Sequence, residues 1–301
     1  MTTVLLVNPA AGGGRGVKAE PEALAAARKA WGDVEIARTT GPRDAVDIGR
    51  RAAEEGIERL IVVGGDGTVH EAANGLLSTG IESLPSLGVV PIGTGNDFAR
   101  LTGTHALGPG EAVRRLSGGV DKLFDVGLAW GEYFTNSLGL GFDARVASLV
   151  PRYRRFWRPL VYPLAVLRAF RSYRPIDAVA EGDDDSYRGG IFSIEVGIGT
   201  STGGGFLLTP GALPDDGVFD VCLIKPVSLL EFVVLTPKAF RGTHTGLRMV
   251  KMMQTGSLTV RSSAPILAHL DGEVRTGPEI IEIRIVENRL PVLAVRTRSE
   301  R

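Results

Sequence analysis

The chain has 301 residues, enough for about two domains with ordinary hydrophobic cores and no need of disulfides or metals to hold them together. Lys plus Arg and Asp plus Glu are 34 each, so the formal net charge is zero and the overall field excludes a general nucleic-acid binder. The single Cys222, inside the apolar run Val221 to Ile224, excludes an intramolecular disulfide framework and a multi-cysteine zinc site; it reads as a core thiol and suits a reducing compartment. Glycine is the outlier. Its 40 residues are nearly twice the usual share of about 7%, so many backbone positions need special geometry.

The N-terminus offers only Val4 to Val7 before Asn8-Pro9, with no basic stretch ahead of it, which is not a signal-peptide pattern. The best candidate for a membrane span, Val221 to Leu235, is broken by Lys225, Pro226 and Glu231. A cytoplasmic location is expected.

From residue 3 to about 118, short apolar runs alternate with Ala-rich helical stretches: Thr3 to Val7 then Val17 to Trp31, Val34 to Ala37 then Arg43 to Glu55, Leu60 to Val63 then Thr68 to Leu77, Leu87 to Val90 then Asn96 to Leu101 and Glu111 to Leu116. Alternation of this kind predicts parallel βαβ units, whose ligands bind at the carboxyl ends of the strands. After Gly118-Gly119 the pattern changes to strand-like runs at Lys122 to Ala129, Tyr133 to Leu140, Ile176 to Ala180, Ile191 to Ile198, Val218 to Ile224, Ser257 to Val260 and Ile280 to Val286. They predict a β-rich second domain, a sandwich. The acidic run Glu181-Gly-Asp-Asp-Asp-Ser reads as a solvated hairpin tip rather than a metal site.

Three glycine-rich loops follow predicted strands: Asn8 to Gly16, Gly64-Gly65-Asp66-Gly67-Thr68, and Gly93-Thr94-Gly95-Asn96-Asp97. Glycines let backbone amides approach a phosphate, and a following helix N-terminus adds about half a positive charge. Any one loop is explained by a tight strand-to-helix turn, whereas three in one half-sheet point to a nucleotide. No Gly-Lys-Ser/Thr ends a Walker loop, and Gly65-Asp66-Gly67 lacks the third glycine of a Rossmann motif. Gly139-Leu-Gly-Phe-Asp-Ala144 matches a relaxed dinucleotide pattern, but its β-rich context makes that a chance match. Asp66 places a carboxylate between glycines at a strand mouth, where it reaches a Mg²⁺ or its water while amides hold phosphate oxygens; the competing role is a turn aspartate. Asp271-Gly272 reads first as a hairpin turn, for which Asp-Gly is the strongest short signal, and only second as a carboxylate for an attacking hydroxyl. The four histidines show no paired-ligand spacing and are left as structural groups, with His70 at the nucleotide loop.

Together these residues resemble the diacylglycerol kinase catalytic family, which also contains sphingosine and ceramide kinases and the bacterial soluble lipid kinases. The resemblance rests on Val7-Asn8-Pro9 with its glycine run, Gly64 to Glu71 with Asn74-Gly75, Pro91 to Ala99, Asp125-Val-Gly127, Asn136 to Gly141, Pro214-Asp-Asp-Gly217 and His269-Leu-Asp-Gly-Glu273. It implies an α/β N-terminal three-layer nucleotide domain, resembling that of NAD kinases and phosphofructokinases, over residues 1–120. It further implies a C-terminal β-sandwich domain for lipid over 121–287, with ATP in the cleft between them and residues 288–301 returning to the first. Carried over by position, Asn8, Thr40, Gly64, Gly65, Asp66, Gly67, Thr68, Glu71, Thr94, Gly95, Asn96 and Asp97 look like nucleotide contacts. Asp66, Asp97 and Asp125 resemble the acids that organise Mg²⁺ and the substrate hydroxyl. Leu213 and Val218, through carbonyls, and Asp216, through its carboxylate, resemble a second, structural Mg²⁺ site. Asp271 resembles the general base, with Glu273 close to it.

The resemblance implies an ATP- and Mg²⁺-dependent kinase that phosphorylates a primary hydroxyl of a neutral lipid, diacylglycerol first among candidates. The alternatives are an NAD kinase-like enzyme, against which the chain's lack of any Asn-Glu dipeptide speaks, and a catalytically silent lipid- or nucleotide-binding module. Between Pro151 and Pro175 lie seven arginines (152, 154, 155, 158, 168, 171 and 174), no acid, and six aromatic residues. That is the composition of an interfacial element, so peripheral contact with the inner membrane face is expected. Packing within the fold and a homodimer face are the competing readings.

Overall fold

The computed structural model describes residues 2–153 and 166–296. The chain divides into two compact units, the first comprising Met1–Val126, Pro214–Asp216 and Val286–Arg301, the second Gly127–Leu213 and Gly217–Ile285.

The first unit runs β1 (Thr3–Val7), α1 (Ala11–Trp31), β2 (Val34–Arg38), α2 (Asp44–Glu54), β3 (Arg59–Gly64), α3 (Asp66–Leu77), β4 (Ser86–Pro91), α4 (Asp97–Leu101) and α5 (Pro109–Ser117), and then enters β5 (Val120–Ala129). Strands β1 to β4 form a parallel sheet in the order β2-β1-β3-β4. The near-continuous apolar runs of β1, β3 and β4 suit strands covered on both faces, while edge strand β2 exposes Glu35 and Arg38. Leu5, Val7, Ile61, Val63 and Val90 pack against Ala19, Ala23 and Ala27 of α1 and Ala112, Val113 and Leu116 of α5. The alternate residues Val4, Leu6, Leu60 and Val62 are equally buried and point to the opposite face, as the period of two requires. Helices α2 and α3 approach backbone to backbone: a Cβ added to Gly49 would meet the Ala72 carbonyl at 2.4 Å, and one added to Gly75 would meet that of Val46 at 2.1 Å.

The second unit contains β6 (Glu132–Phe134), β7 (Ser137–Gly141), α6 (Phe142–Tyr153), β8 (Ile176–Gly182), β9 (Ser186–Ile191), β10 (Ser193–Gly197), β11 (Phe219–Ile224), α7 (Leu229–Phe240), β12 (Val250–Thr255), β13 (Ser257–Ser262), β14 (Leu267–Leu270) and β15 (Glu273–Thr276). It also holds the first part of β16 (Ile280–Ala294), whose far end lies in the first unit beside β4, with Val292 opposite Leu87. One layer is the antiparallel sheet β12-β11-β10-β7-β14-β15; the other is β16-β13-β8-β9, also antiparallel. Leu138, Leu140, Ile194, Val196, Val221 and Leu223 from the first layer meet Ala178, Ala180, Leu258, Val260, Ile281 and Ile283 from the second in a buried hydrophobic core. The expected α/β first half and β-sandwich second half are therefore both present.

The predicted strand Tyr133 to Leu140 is two strands, β6 and β7. Thr135 and Asn136 leave the ladder because their amides turn to the Asp271 carboxylate. The acidic tip between β8 and β9 is also more than a solvated turn. Asp183 accepts from the Ser257 and Thr255 hydroxyls and the Gly256 amide, which hold it below the usual carboxylate range and tie two hairpin turns together. Helix α7 begins with a capping box in which Ser228 and Glu231 satisfy each other's backbone amides. The basic aromatic segment falls partly outside the described residues: Arg154, Arg155, Phe156, Trp157, Arg158 and Tyr162 lie there.

Candidate active site

In the first unit all four parallel strands end at the same edge, and each leads directly into a candidate residue. Asn8 follows β1; its amide donates to the Thr68 hydroxyl at 2.9 Å, and its side-chain oxygen accepts the Ala10 N–H at 3.0 Å. The first and second loops are thereby tied. The second and third lie backbone against backbone, since a Cβ on Gly65 would sit 3.0 Å from Gly93 Cα and one on Gly93 only 2.8 Å from Gly65 Cα. Gly64 closes β3, Gly65 is the extended residue preceding α3, and Asp66, Gly67 and Thr68 form the first turn of that helix. Amides and a positive helix end are thus presented together.

The Asp66 carboxylate accepts the Asn96 N–H at 2.7 Å and the Phe98 N–H at 3.1 Å, and so caps α4 from the neighbouring loop. Asn96 is left-handed at φ 54°, its amide donates to the Gly93 carbonyl at 3.2 Å, and its buried Oδ1 has no partner among the described residues. Thr94 is exposed and Gly95 half-buried, while Asp97 is buried with Arg100 Nε 3.7 Å away. Thr40, beyond β2, gives its N–H and its hydroxyl to Asp44, which also takes the Gly41 N–H; the Thr40 hydroxyl, above all, lowers the Asp44 pKa. Glu71 on α3 accepts the Arg43 N–H at 3.1 Å.

Sequence reasoning missed Arg15. Behind three left-handed glycines, Gly12 to Gly14, its guanidinium donates to the carbonyls of Gly12, Ile92 and Gly93, joining the first loop to the third with an exposed cation. An arginine just after a glycine run was the available signal.

Asp125 is buried; its Oδ1 accepts the N–H of left-handed Asn288 at 2.7 Å, and its own N–H donates to the Pro214 carbonyl at 2.7 Å. The Leu213, Asp216 and Val218 set divides, Asp216 belonging to the first unit and Leu213 and Val218 to the second.

In the second unit, Asp271 and Gly272 link β14 to β15 with φ values of 49° and 91°. Both are left-handed, as a tight two-residue hairpin requires. The carboxylate accepts the backbone N–H groups of Thr135, Asn136 and Ser137 at 2.9 to 3.0 Å, and the Thr135 hydroxyl at 3.3 Å. Glu273 opens β15, exposed, in register with Leu270.

Behind this turn, on the face of the six-stranded sheet away from the sandwich core, Glu195, Gly139 and His269 form a row across β10, β7 and β14. Asp143 from α6 enters above Gly139, where an added Cβ would meet its Oδ2 at 1.8 Å and His269 Nε2 at 2.4 Å. That is what the glycine at position 139 serves, rather than a dinucleotide. Asp143 Oδ2 lies 3.1 Å from His269 Nε2, and Oδ1 accepts the Ser193 hydroxyl at 2.9 Å. Burial and the Asp143 charge raise Glu195 well above the usual carboxylate range. Burial opposes charge on His269, but its bond to Asp143 and the surrounding carboxylates outweigh that and raise it to about 9. The Gly272 N–H, 3.3 Å from Nδ1, favours the neutral ring and works the other way.

A parallel sheet with glycine-rich loops along its carboxyl edge, in one chain with a β-sandwich that fixes a carboxylate at a hairpin, fits a nucleotide-dependent phosphotransferase. The comparisons name the family. The model described as "Diacylglycerol kinase catalytic domain" matches residues 2–129, and "YegS C-terminal NAD kinase beta sandwich-like domain" matches 136–294. The chain is 32% identical over 236 residues to a diacylglycerol kinase of Bacillus subtilis, covering 78% of this chain and 77% of that one. It is 30% identical over 299 residues to a diacylglycerol kinase of Mycobacterium tuberculosis, covering 97% and 94%. A solved structure from Bacillus anthracis str. Sterne matches with TM-score 0.79 at 25% identity, covering 97% of this chain and 96% of that one. The chain belongs to the diacylglycerol kinase catalytic family and is a lipid kinase that uses ATP. Among the described residues no helix is long and apolar enough to cross a membrane.

Proposed function

We propose that this enzyme transfers the γ-phosphoryl group of ATP to the primary hydroxyl of diacylglycerol, giving phosphatidic acid, with Mg²⁺ as its metal. The observation that carries the reading is the Asp271 carboxylate, fixed by three backbone amides at a hairpin tip. In a loose phosphoryl-transfer transition state a positioned acceptor for the hydroxyl proton matters more than a strong base. Asn8, Gly64 to Thr68 and Thr94 to Asp97 are the proposed nucleotide contacts, with Thr40 and Glu71 at their margin. Asp66, Asp97 and Asp125 supply the hard oxygens that suit Mg²⁺. The names of the relatives support diacylglycerol over other lipid alcohols.

Contact with an anionic bilayer is part of the proposal. Helix α7 exposes Leu229, Leu230, Val233, Val234 and Phe240, an outer face that a water-bathed helix would fill with polar residues. The Phe232 ring of the same helix packs at a tilt with its centroid 5.1 Å from that of Phe170, whose neighbours Leu167, Arg168 and Arg171 are exposed. The test is labelled-phosphate transfer from ATP to diacylglycerol, monoacylglycerol, sphingosine and NAD, with the lipids presented in phosphatidylglycerol vesicles. Diacylglycerol should be the preferred acceptor, and added salt should suppress turnover on vesicles, since such charges are screened beyond about 8 Å at physiological ionic strength, while sparing a short-chain soluble analogue. Preference for another acceptor sinks the substrate assignment; equal salt sensitivity on both forms sinks membrane contact and leaves packing or a homodimer face as the role of the basic segment.

Leu213, Asp216 and Val218 are proposed as the ligands of a second, structural Mg²⁺. Asp216→Ala should lose one bound metal and the Mg²⁺-dependent part of the thermal stability. An unchanged metal count and an unchanged melting curve would reduce the segment to a turn.

A further inference from the structure

The row formed by Glu195, Gly139 and His269, closed by Asp143, has a chemical peculiarity. Three ionisable groups sit within 4.8 Å of one another on a buried sheet face, where apolar side chains of the same volume would cost less to desolvate. Among the described residues neither oxygen of Glu195 reaches full hydrogen-bond geometry, and Asp143 and Ser137 are the polar groups that face it. A protonated Glu195 would resolve this by donating to Asp143, leaving one carboxylate shared between a carboxylic acid and an imidazole N–H. His269 Nε2–H donates to Asp143 whether or not Nδ1 also carries a proton, so the arrangement survives either state of the ring.

The connection to Asp271 runs through two strands. His269 stands two residues before Asp271 on β14, and its ring also faces the Gly272 amide of the turn. On β7, the strand whose Gly139 accommodates the network, the Ser137 backbone is bonded twice to Asp271: its N–H donates to the side-chain carboxylate at 3.0 Å, and its carbonyl accepts the Asp271 N–H at 2.9 Å. Any shift of β14 against β7 would move the Asp271 carboxylate relative to its three amide donors. Asp143, reaching down from α6 to grip His269 across Gly139, opposes such a shift.

We propose that Asp143, His269 and Glu195 form a positioning unit that fixes β14 against β7 and thereby aims the Asp271 carboxylate at the lipid hydroxyl. This rests on the reading of Asp271 as the group that receives the hydroxyl proton. Asp143, His269 and Glu195 do not touch the reacting atoms.

The experiment compares Asp143→Asn, His269→Phe and His269→Gln, each with melting temperature, kcat per folded molecule and KM for ATP, alongside Asp271→Asn alone and combined with Asp143→Asn. Loss of an orienting partner should lower kcat by roughly 10- to 100-fold with ATP KM nearly unchanged, and His269→Gln, which keeps a donor toward Asp143, should recover most of it. Added to Asp271→Asn, the Asp143→Asn change should cost less than about threefold, since there is no longer a carboxylate to aim. Wild-type kcat in a folded His269→Phe enzyme overturns the proposal, as do a purely thermal defect, full additivity with Asp271→Asn, or a stoichiometric metal ion lost with Glu195→Gln. Near wild-type turnover of Asp271→Asn alone removes the base reading instead, and is told apart by that single variant.

Discussion

Asp271→Asn is expected to lower kcat by roughly 10² to 10⁴ while leaving the KM for ATP within a few-fold of wild type. The left-handed backbone at position 271, φ 49°, is one that Asn tolerates, so the hairpin should persist. The side-chain amide, however, has one acceptor oxygen where the carboxylate has two, and both of those are engaged: Oδ1 by Asn136 and Ser137, Oδ2 by Thr135. One set of buried N–H groups must then face an NH₂, a mismatch worth about 1–3 kcal/mol of stability. Turnover must therefore be measured per folded molecule, with melting recorded beside it. A variant that melts several degrees lower yet turns over normally when folded would leave Asp271 as the anchor of a turn and nothing more.

Asp66→Asn should behave differently, raising the KM for Mg·ATP about tenfold or more and lowering kcat as well, because this carboxylate belongs to the phosphate-binding edge. Part of the loss is structural. Asp66 spans the Asn96 and Phe98 amides, so the amide variant leaves one of them opposite an NH₂ and loosens α4 together with the Thr94 to Asp97 loop. The two contributions separate in a titration of Mg²⁺ at fixed ATP: loss of a metal-organising carboxylate shifts the half-saturating Mg²⁺ concentration, whereas a loosened cap lowers melting and leaves that concentration alone. The second outcome would reduce Asp66 to a helix cap.

Local sequence carries the features that depend on neighbours along the chain. The parallel sheet is legible because βαβ alternation repeats every few dozen residues, and the edge proposed for the nucleotide because each glycine loop directly follows its strand. The Asp271-Gly272 turn is legible for the same reason, since both of its left-handed residues are adjacent. Arg15 was within reach, standing next to the glycine run, but only the fold brings the Ile92 and Gly93 carbonyls to it.

What local sequence does not carry is register between strands distant along the chain. Nothing near Asp271 announces that the amides of Thr135 to Ser137, more than 130 residues earlier, would hold its carboxylate. Nor does any spacing reveal Glu195, Gly139 and His269 as one row, because that order exists only once β10, β7 and β14 pair antiparallel and alternation sends all three to the same face. A one-residue slip would bury Leu138 and Leu140 on the wrong side and scatter the row, so the hydrophobic core of the sandwich sets the register that assembles the polar one. The sequence by itself determined the family, the two-part architecture and the glycine-rich strand edge proposed to hold phosphate. Only the tertiary structure decided how Asp271 is aimed, since long-range strand pairing rather than local propensity brings its donors and the network behind it together.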